Sequence, residues 1–140
     1  MSAFNPWTTS RFKCDEPTRF DEADAKAKAE AQQEREVYAQ VNARDKYRCR
    51  ACGAATDPQA VGVLKRGHHH HIVYRSAGGA TTTANVALVC ARCHNDEHRH
   101  RIRIEGDADV ALTIYNRLSR QAGWYISRQE TAPHVLTARD

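Results

Sequence analysis

Two pairs of cysteines share one spacing, Cys49-Arg50-Ala51-Cys52 and Cys90-Ala91-Arg92-Cys93. Two residues between thiols let a tight turn aim both sulfurs at one ion, and two such hooks complete a tetrahedral four-thiolate zinc site. The 37 residues between the hooks exceed the ~15–20 of a compact finger, so a folded insert is expected inside the clamp. A redox role for either pair would need a thioredoxin-like unit, which the surrounding pattern lacks. The insert and the second hook carry a second set of reactive groups: His68, His69, His70 and His71 in a run, then Asn85, then His94 and His98. The run's internal position argues against an expression tag. His94 and His98 are one helical turn apart and face the same way. Two imidazoles so placed, with a third from a neighbouring strand, can hold one divalent ion and leave positions open for water and a phosphate oxygen. A further neutral imidazole, with an unperturbed pKa of ~6.5, can take the proton of an attacking water. An Asn at the end of a loop can pin the loop carbonyl that orients such a base.

The elements that must position these groups are partly legible. Residues 20 to 44 are rich in Ala, Glu, Gln, Lys and Arg and predict a helix. Thr18, three residues before Asp21, is its expected cap. Only Phe20, Val37, Tyr38 and Val41 offer it bulky apolar contacts, so its last turns are expected to dock while the rest stays exposed. Residues 58 to 73, with Val61, Val63, Leu64, Ile72 and Val73 around Lys65-Arg66-Gly67, read as strand, turn, strand. Residues 76 to 84, containing Gly78-Gly79, read as a loop, Val86 to Val89 as a short buried strand, and Ala91 to His100 as a helix. The alternation of Arg and Ile over 101 to 105 predicts an edge strand. Val110, Ala111, Ile114 and Leu118 stand at helical spacing and predict a helix over 107 to 122, closed by Gly123 and followed by a polar tail. Residues 1 to 17, with Pro6 and Pro17, read as an irregular lead-in.

Composition bounds the class. The chain has 140 residues, 41% hydrophobic and 7% aromatic, enough for one thin core that needs a staple such as zinc. Residues 1–43, 44–103 and 104–140 carry net charges of −2, +7 and −1, so the basic block coincides with the chemical one and implies a polyanion partner. No apolar run approaches the ~18 residues that span a bilayer, and the first residues do not resemble a secretory leader. The expectation is a soluble, cytoplasmic protein in a reducing compartment, where paired cysteines hold metal. The fifth cysteine, Cys14, is expected to stay unpaired.

The string Tyr47 to Gly53, then His70-His71-Ile72, Arg75-Ser76-Ala77-Gly78-Gly79, Asn85-Val86, Leu88-Val89-Cys90 and Cys93-His94 through His98 resembles the HNH endonuclease family with its ββα-metal finger. The resemblance covers about residues 44 to 100. It implies a hairpin followed by a helix, with one catalytic metal between them and a separate zinc tying the ends. It further implies His70, His94 and His98 as ligands of the catalytic ion, His71 as general base and Asn85 as the brace of the loop that orients the base. Two positions depart from the family pattern: Tyr74 replaces a common Pro, and Val86 a common Leu. The register is anchored on Ile72 and the Gly-Gly loop, although on an extended strand His69 shares a face with His71 and could take its place. His68 and His69 are expected to be solvated or to contact phosphate.

The reading is therefore an α+β chain: an N-terminal lead-in and helix (1–43), an HNH finger clamped by Cys49, Cys52, Cys90 and Cys93 on structural zinc (44–105), and a strand/helix extension with a tail (106–140). The expected activity is metal-dependent hydrolysis of DNA phosphodiesters with Mg2+, Mn2+ or Ni2+. Lys65, Arg66, Arg75, Arg92, Arg99, Arg101 and Arg103 are expected to contact phosphates. A monomer is slightly favoured over a homodimer. The rival readings are a non-catalytic zinc module binding nucleic acid, and an accessory protein of a phage packaging or recombination assembly with a terminase-like partner.

Overall fold

The structure is a computed structural model that describes residues 18–62 and 65–131. The expectations for the lead-in, for Cys14, for Val63 and Leu64 and for the end of the tail lie outside the described residues. The chain divides into two compact units, residues 1–33 and 34–140.

Helix α1 spans Arg19–Asp45. Its start is capped as expected: Thr18 Oγ1 accepts from the Asp21 amide at 3.3 Å while the Asp21 carboxylate accepts from the Thr18 amide at 3.0 Å, the reciprocal satisfaction of a capping box. In the first unit the helix is almost wholly exposed, and Phe20, expected as an apolar contact, is 82% exposed. In the second unit its last turns bury Val41 against Val86 and Leu88, with Val37 and Tyr38 packed around them.

The second unit holds two antiparallel sheets. Strand β1, Gly67–His71, pairs with β2, Val86–Cys90, in a register that sets His71 opposite Val86, His70 opposite Ala87, His69 opposite Leu88 and His68 opposite Val89. Thus one expected strand before the Lys65-Arg66-Gly67 turn is absent among the described residues, and the hairpin partner is β2. Helix α2, Ala91–His98, leaves β2 directly, with Cys90 as its N-cap residue. β2 is buried along Val86–Val89 and serves both cores. Val86 and Leu88 face the α1 cluster, whereas Ala87 and Val89 join Cys49, Cys93, Ile104, Leu112 and Ile114.

Beyond α2 lie β3, Ile102–Asp107, β4, Ala111–Arg117, and β5, Trp124–Thr131, in the order β3-β4-β5. β3 is an edge strand, as its alternation predicts. The helix expected over 107 to 122 and the tail expected from 124 are instead β4 and β5. Leu112 and Ile114 are 1% and 2% exposed, while Val110 and Leu118 are 55% and 75% exposed, so burial follows period two and the helical spacing was coincidental. The architecture is α+β throughout. No helix among the described residues is long and apolar enough to cross a membrane.

A buried ionic knot joins α1, the first cysteine hook and the three-stranded sheet. Asp45 Oδ1 accepts from Arg44 Nε at 2.7 Å and from an Arg50 terminal nitrogen at 2.8 Å, and Oδ2 accepts from the Leu88 amide at 3.0 Å. Arg50, 2% exposed, also donates to the Ala108 carbonyl at 3.0 Å and lies 3.5 Å from Glu130.

Candidate active site and metal centres

Alternation along β1 divides the four histidines between two faces. On one face His68 stacks on His94, ring centroids 5.0 Å apart, and His70 meets His94 and His98 edge-on at 5.9 and 6.3 Å. On the other, His69 lies flat against Tyr38 of α1 at 4.1 Å, and His71 is 6.5 Å from the same ring. The two extra histidines are therefore not simply solvated. His69 is half-buried and donates through Nε2 to Asn42 Oδ1 at 2.8 Å.

His70, His94 and His98 each bring a ring nitrogen within 4.8 Å of the other two. His70 Nε2 and His94 Nδ1 are buried with no hydrogen-bond partner, a costly state for polar atoms unless something else satisfies them. A divalent ion fits that requirement, since it binds neutral imidazole nitrogen. Burial drives His70 down to about 4, outweighing the nearby Glu97 carboxylate, so the imidazole is neutral near pH 7. His94 is lowered by burial first and then by His98 and His68. Glu97 was not singled out by the sequence reading. It is 6% exposed, its Oε1 is 3.7 Å from His70 Nε2 and accepts from the Tyr74 hydroxyl at 2.5 Å, and Oε2 has no partner. Its signal was its place four residues after Cys93, on the buried side of α2. Burial and then this bond to Glu97 push Tyr74 up to about 12, so the residue standing where the family commonly has proline is a neutral donor.

His71 lies on the opposite face of β1, and its Nε2 is 3.0 Å from Thr81 Oγ1 and accepts from Arg75 Nε at 3.2 Å. An arginine can only donate, so Nε2 carries the lone pair and the neutral ring holds its proton on Nδ1. No loop carbonyl accepts from Nδ1 among the described contacts. The ring is aimed through Nε2 instead. Burial first, and then the Arg75 cation, lower the His71 pKa against the opposing Glu34 charge. Arg75 is itself tethered, donating to Glu34 and, at 2.7 Å, to the Tyr38 hydroxyl.

Asn85 braces the loop between β1 and β2. Its Oδ1 accepts from the Val73 amide at 2.8 Å, its Nδ2 donates to the carbonyls of Val73 at 3.1 Å and Ala80 at 2.8 Å, and its own carbonyl accepts from the Ile72 amide. The loop closes tightly enough that a Cβ on Gly79 would overlap the Val73 carbonyl.

The four hook cysteines bring their sulfurs within 4.8 Å of one another, and Cys52 and Cys90 lie 3.8 Å apart. Zn–S bonds of ~2.3 Å in a tetrahedron give an S···S edge of about 3.8 Å, so the sulfurs fit a zinc ion. A hydrogen bond from Cys93 lowers Cys49 to about 4 and correspondingly raises Cys93.

The candidate phosphate contacts do not form one surface. Lys65 and Arg66 lie just before β1, and Arg66 borders a hollow with Tyr38 and Tyr47. Arg92 projects from α2 with its side chain 90% exposed, 4.0 Å from Asp96. Arg75 borders the histidines. Arg103 pairs with Glu105 at 2.9 Å and lies over the rings of Tyr115 and Trp124, whereas Arg99 and Arg101 lie around a separate hollow.

No curated protein matches the chain. Residues 49–100, which run from the first thiol of the first hook past the last of the clustered histidines and include Asn85, match the family model described as HNH endonuclease.

Proposed function

We propose that this chain is a metal-dependent DNA endonuclease in which His71 is the general base and His70, His94 and His98 hold one divalent ion. The observation that carries the reading is the division of the histidine run: three ring nitrogens converge on one side of β1, two of them buried without a partner, and a separate imidazole, its Nε2 lone pair turned to Arg75 and Thr81, stands on the next residue. A divalent ion bound there, Mg2+, Mn2+ or Ni2+, supplies Lewis-acid stabilisation of the phosphate and the departing oxygen. His71, neutral near pH 7 because burial and Arg75 lower its pKa, takes the proton of the attacking water at Nε2, the water taking the place of the Arg75 N–H that lies 3.2 Å from that lone pair. Thr81 and Arg75 aim the ring, and Asn85 keeps the following loop from relaxing. His69 is a poorer base because Tyr38 lies flat against its ring and its Nε2 proton is committed to Asn42 Oδ1. Cys49, Cys52, Cys90 and Cys93 hold a structural zinc that ties α2 to the first hook.

The test is incubation of zinc-loaded protein with supercoiled plasmid and added Mg2+, Mn2+ or Ni2+, against a control without added ion. Nicked circles that depend on the ion and disappear with His71→Ala are expected, since a single site cuts one strand per encounter. His69→Ala should retain most activity. Ion-dependent nicking that survives His71→Ala but not a folded His69→Ala would assign the base to the wrong histidine, and no nicking under any ion would remove the nuclease reading.

A further inference from the structure

The end of α2 and the β4–β5 turn enclose a hollow lined by Arg99, His100, Arg101, Arg117, Ser119 and Arg120, with Leu118 at its edge. Four arginines and a serine line one concavity that has no carboxylate in its lining, and the Arg117 guanidinium also lies over the Trp124 ring at 5.5 Å. Arg99 and Arg120 pair with no carboxylate among the described residues. The nearest competing acid is Asp96, 3.7 Å from Arg101 across side chains that are 65% and 25% exposed, and so long and exposed a pair neutralises little.

The hollow is built rather than incidental. His100 takes a left-handed φ of 55°, which ends α2 and turns the chain so that Arg99 and Arg101 flank one reversal. The Arg117 amide donates to the Arg101 carbonyl at 2.9 Å, which fastens the two walls together. An Arg117 terminal nitrogen donates to the Arg120 carbonyl at 3.0 Å, holding that guanidinium in place, while its Nε is buried with no partner. Ser119 Oγ accepts from the amides of Gln121 and Ala122 at 3.3 and 3.0 Å, which leaves the hydroxyl proton free to donate outward. Arginine donors around a cavity, with Arg117 held in place among them, match the tetrahedral, multiply accepting oxygens of a phosphodiester, to which arginine binds through two nitrogens at once.

We infer that this hollow binds a backbone phosphate of the DNA substrate, separate from the phosphate being cut. This rests on the nuclease reading above and deepens it. Arg99 follows the proposed metal ligand His98 directly in the chain, so the seated phosphate and the reacting one are held at a fixed offset. The hollow therefore sets which bond along the strand reaches the histidines. It also gives the three-stranded extension a function: Arg117, Ser119 and Arg120 all come from it.

The experiment measures equilibrium binding of a labelled ~20-base-pair duplex to the zinc-loaded full chain as a function of salt, with no catalytic ion added. Arg117→Ala/Arg120→Ala should weaken binding about tenfold at ~0.1 M salt and make the salt slope shallower by roughly 1, the mark of a lost phosphate contact. Arg99→Ala/Arg120→Ala removes only exposed side chains, so it keeps the test independent of folding and should behave the same way. Lys26→Ala/Lys28→Ala removes equal charge from the exposed part of α1 and should change little. A duplex in which neutral methylphosphonates replace a share of the backbone phosphates should lose affinity for the wild-type chain and lose less for the Arg99→Ala/Arg120→Ala protein. Wild-type affinity and slope in both arginine variants, or an equal loss in the lysine variant, would overturn the inference while leaving nuclease activity intact. Failure of the wild-type chain to bind duplex at low salt would overturn this inference and the nuclease reading together.

Discussion

Replacing Asp45 with Ala should be the most destabilising single change away from the cysteines. The Asp45 side chain is 0% exposed and receives four hydrogen bonds: two from Arg44 at 2.7 and 2.9 Å, one from Arg50 at 2.8 Å and one from the Leu88 amide at 3.0 Å. Without it, Arg44 keeps Asp109 and two backbone carbonyls. Arg50 keeps only the Ala108 carbonyl and a 3.5 Å approach to Glu130. Removing one partner of a buried pair costs about 3–5 kcal/mol, because the remaining charge is left without its counterion. The Leu88 amide, in the strand beside His69, loses its acceptor as well. Against a total stability on the order of 5–15 kcal/mol, such a loss lowers Tm by roughly 10–20 °C in a chain of this size. Arg50→Met keeps the stem and leaves Asp45 with Arg44 and Leu88, so it should cost less, about 1–3 kcal/mol. Thermal and urea unfolding followed by circular dichroism, on samples of matched zinc content, reads both. An Asp45→Ala protein within about 1 kcal/mol of wild type, or an Arg50→Met protein less stable than Asp45→Ala, would refute the assignment of Asp45 as the hub.

The other expectations concern the site. Cys49→Ser should lose tightly bound zinc by elemental analysis and unfold or precipitate, because metal binding in such sites is folding free energy; a folded, zinc-replete variant would count against the clamp. His71→Ala should slow cleavage by about 10²- to 10⁴-fold at every ion concentration, whereas the loss in His94→Ala should shrink as ion is added; equal rescue of the two would merge their roles. The rate-against-pH profile should have its acid limb below 6.5, since burial and Arg75 lower His71 and the base works only when neutral. Arg75→Ala removes a cation that opposes protonation and leaves Glu34, which favours it, so the His71 pKa should rise and the acid limb should move to higher pH; a limb that stays put or moves down would show that another group is titrating.

What could be read from the sequence and what could not divide along a physical line. The cysteine hooks, the pairing of His94 with His98 and the alternation along His68 to His71 follow from covalent spacing and from the periods of helix and strand, and each appears in the structure as read. Where spacing was ambiguous the reading failed: Val110, Ala111, Ile114 and Leu118 fit a helix, but the neighbouring Leu112 fits only a strand, and the choice is made by β3 and β5 on either side of β4. The placement of His69 depended on Tyr38 and Asn42, 27 or more residues away, so a residue read as solvated or in contact with phosphate has its ring stacked on Tyr38. Arg50 is the clearest case. A charged residue between two cysteines reads as surface, and its burial requires Asp45, Ala108 and Glu130 to meet it from three other parts of the chain.

That meeting also links fold to site. Asp45 ends α1 and grips β2 through Leu88, β2 holds β1 in register, and β1 carries His70 and His71 to opposite faces. The ionic knot and the four-cysteine cluster meet the same hairpin at different ends, the first through β2 and the second through Cys90 at its junction with α2. A thin apolar core is a weak mount for the histidines by itself; the buried ions around Asp45 brace it at one end, and the four cysteines are placed to do so at the other once they hold a metal.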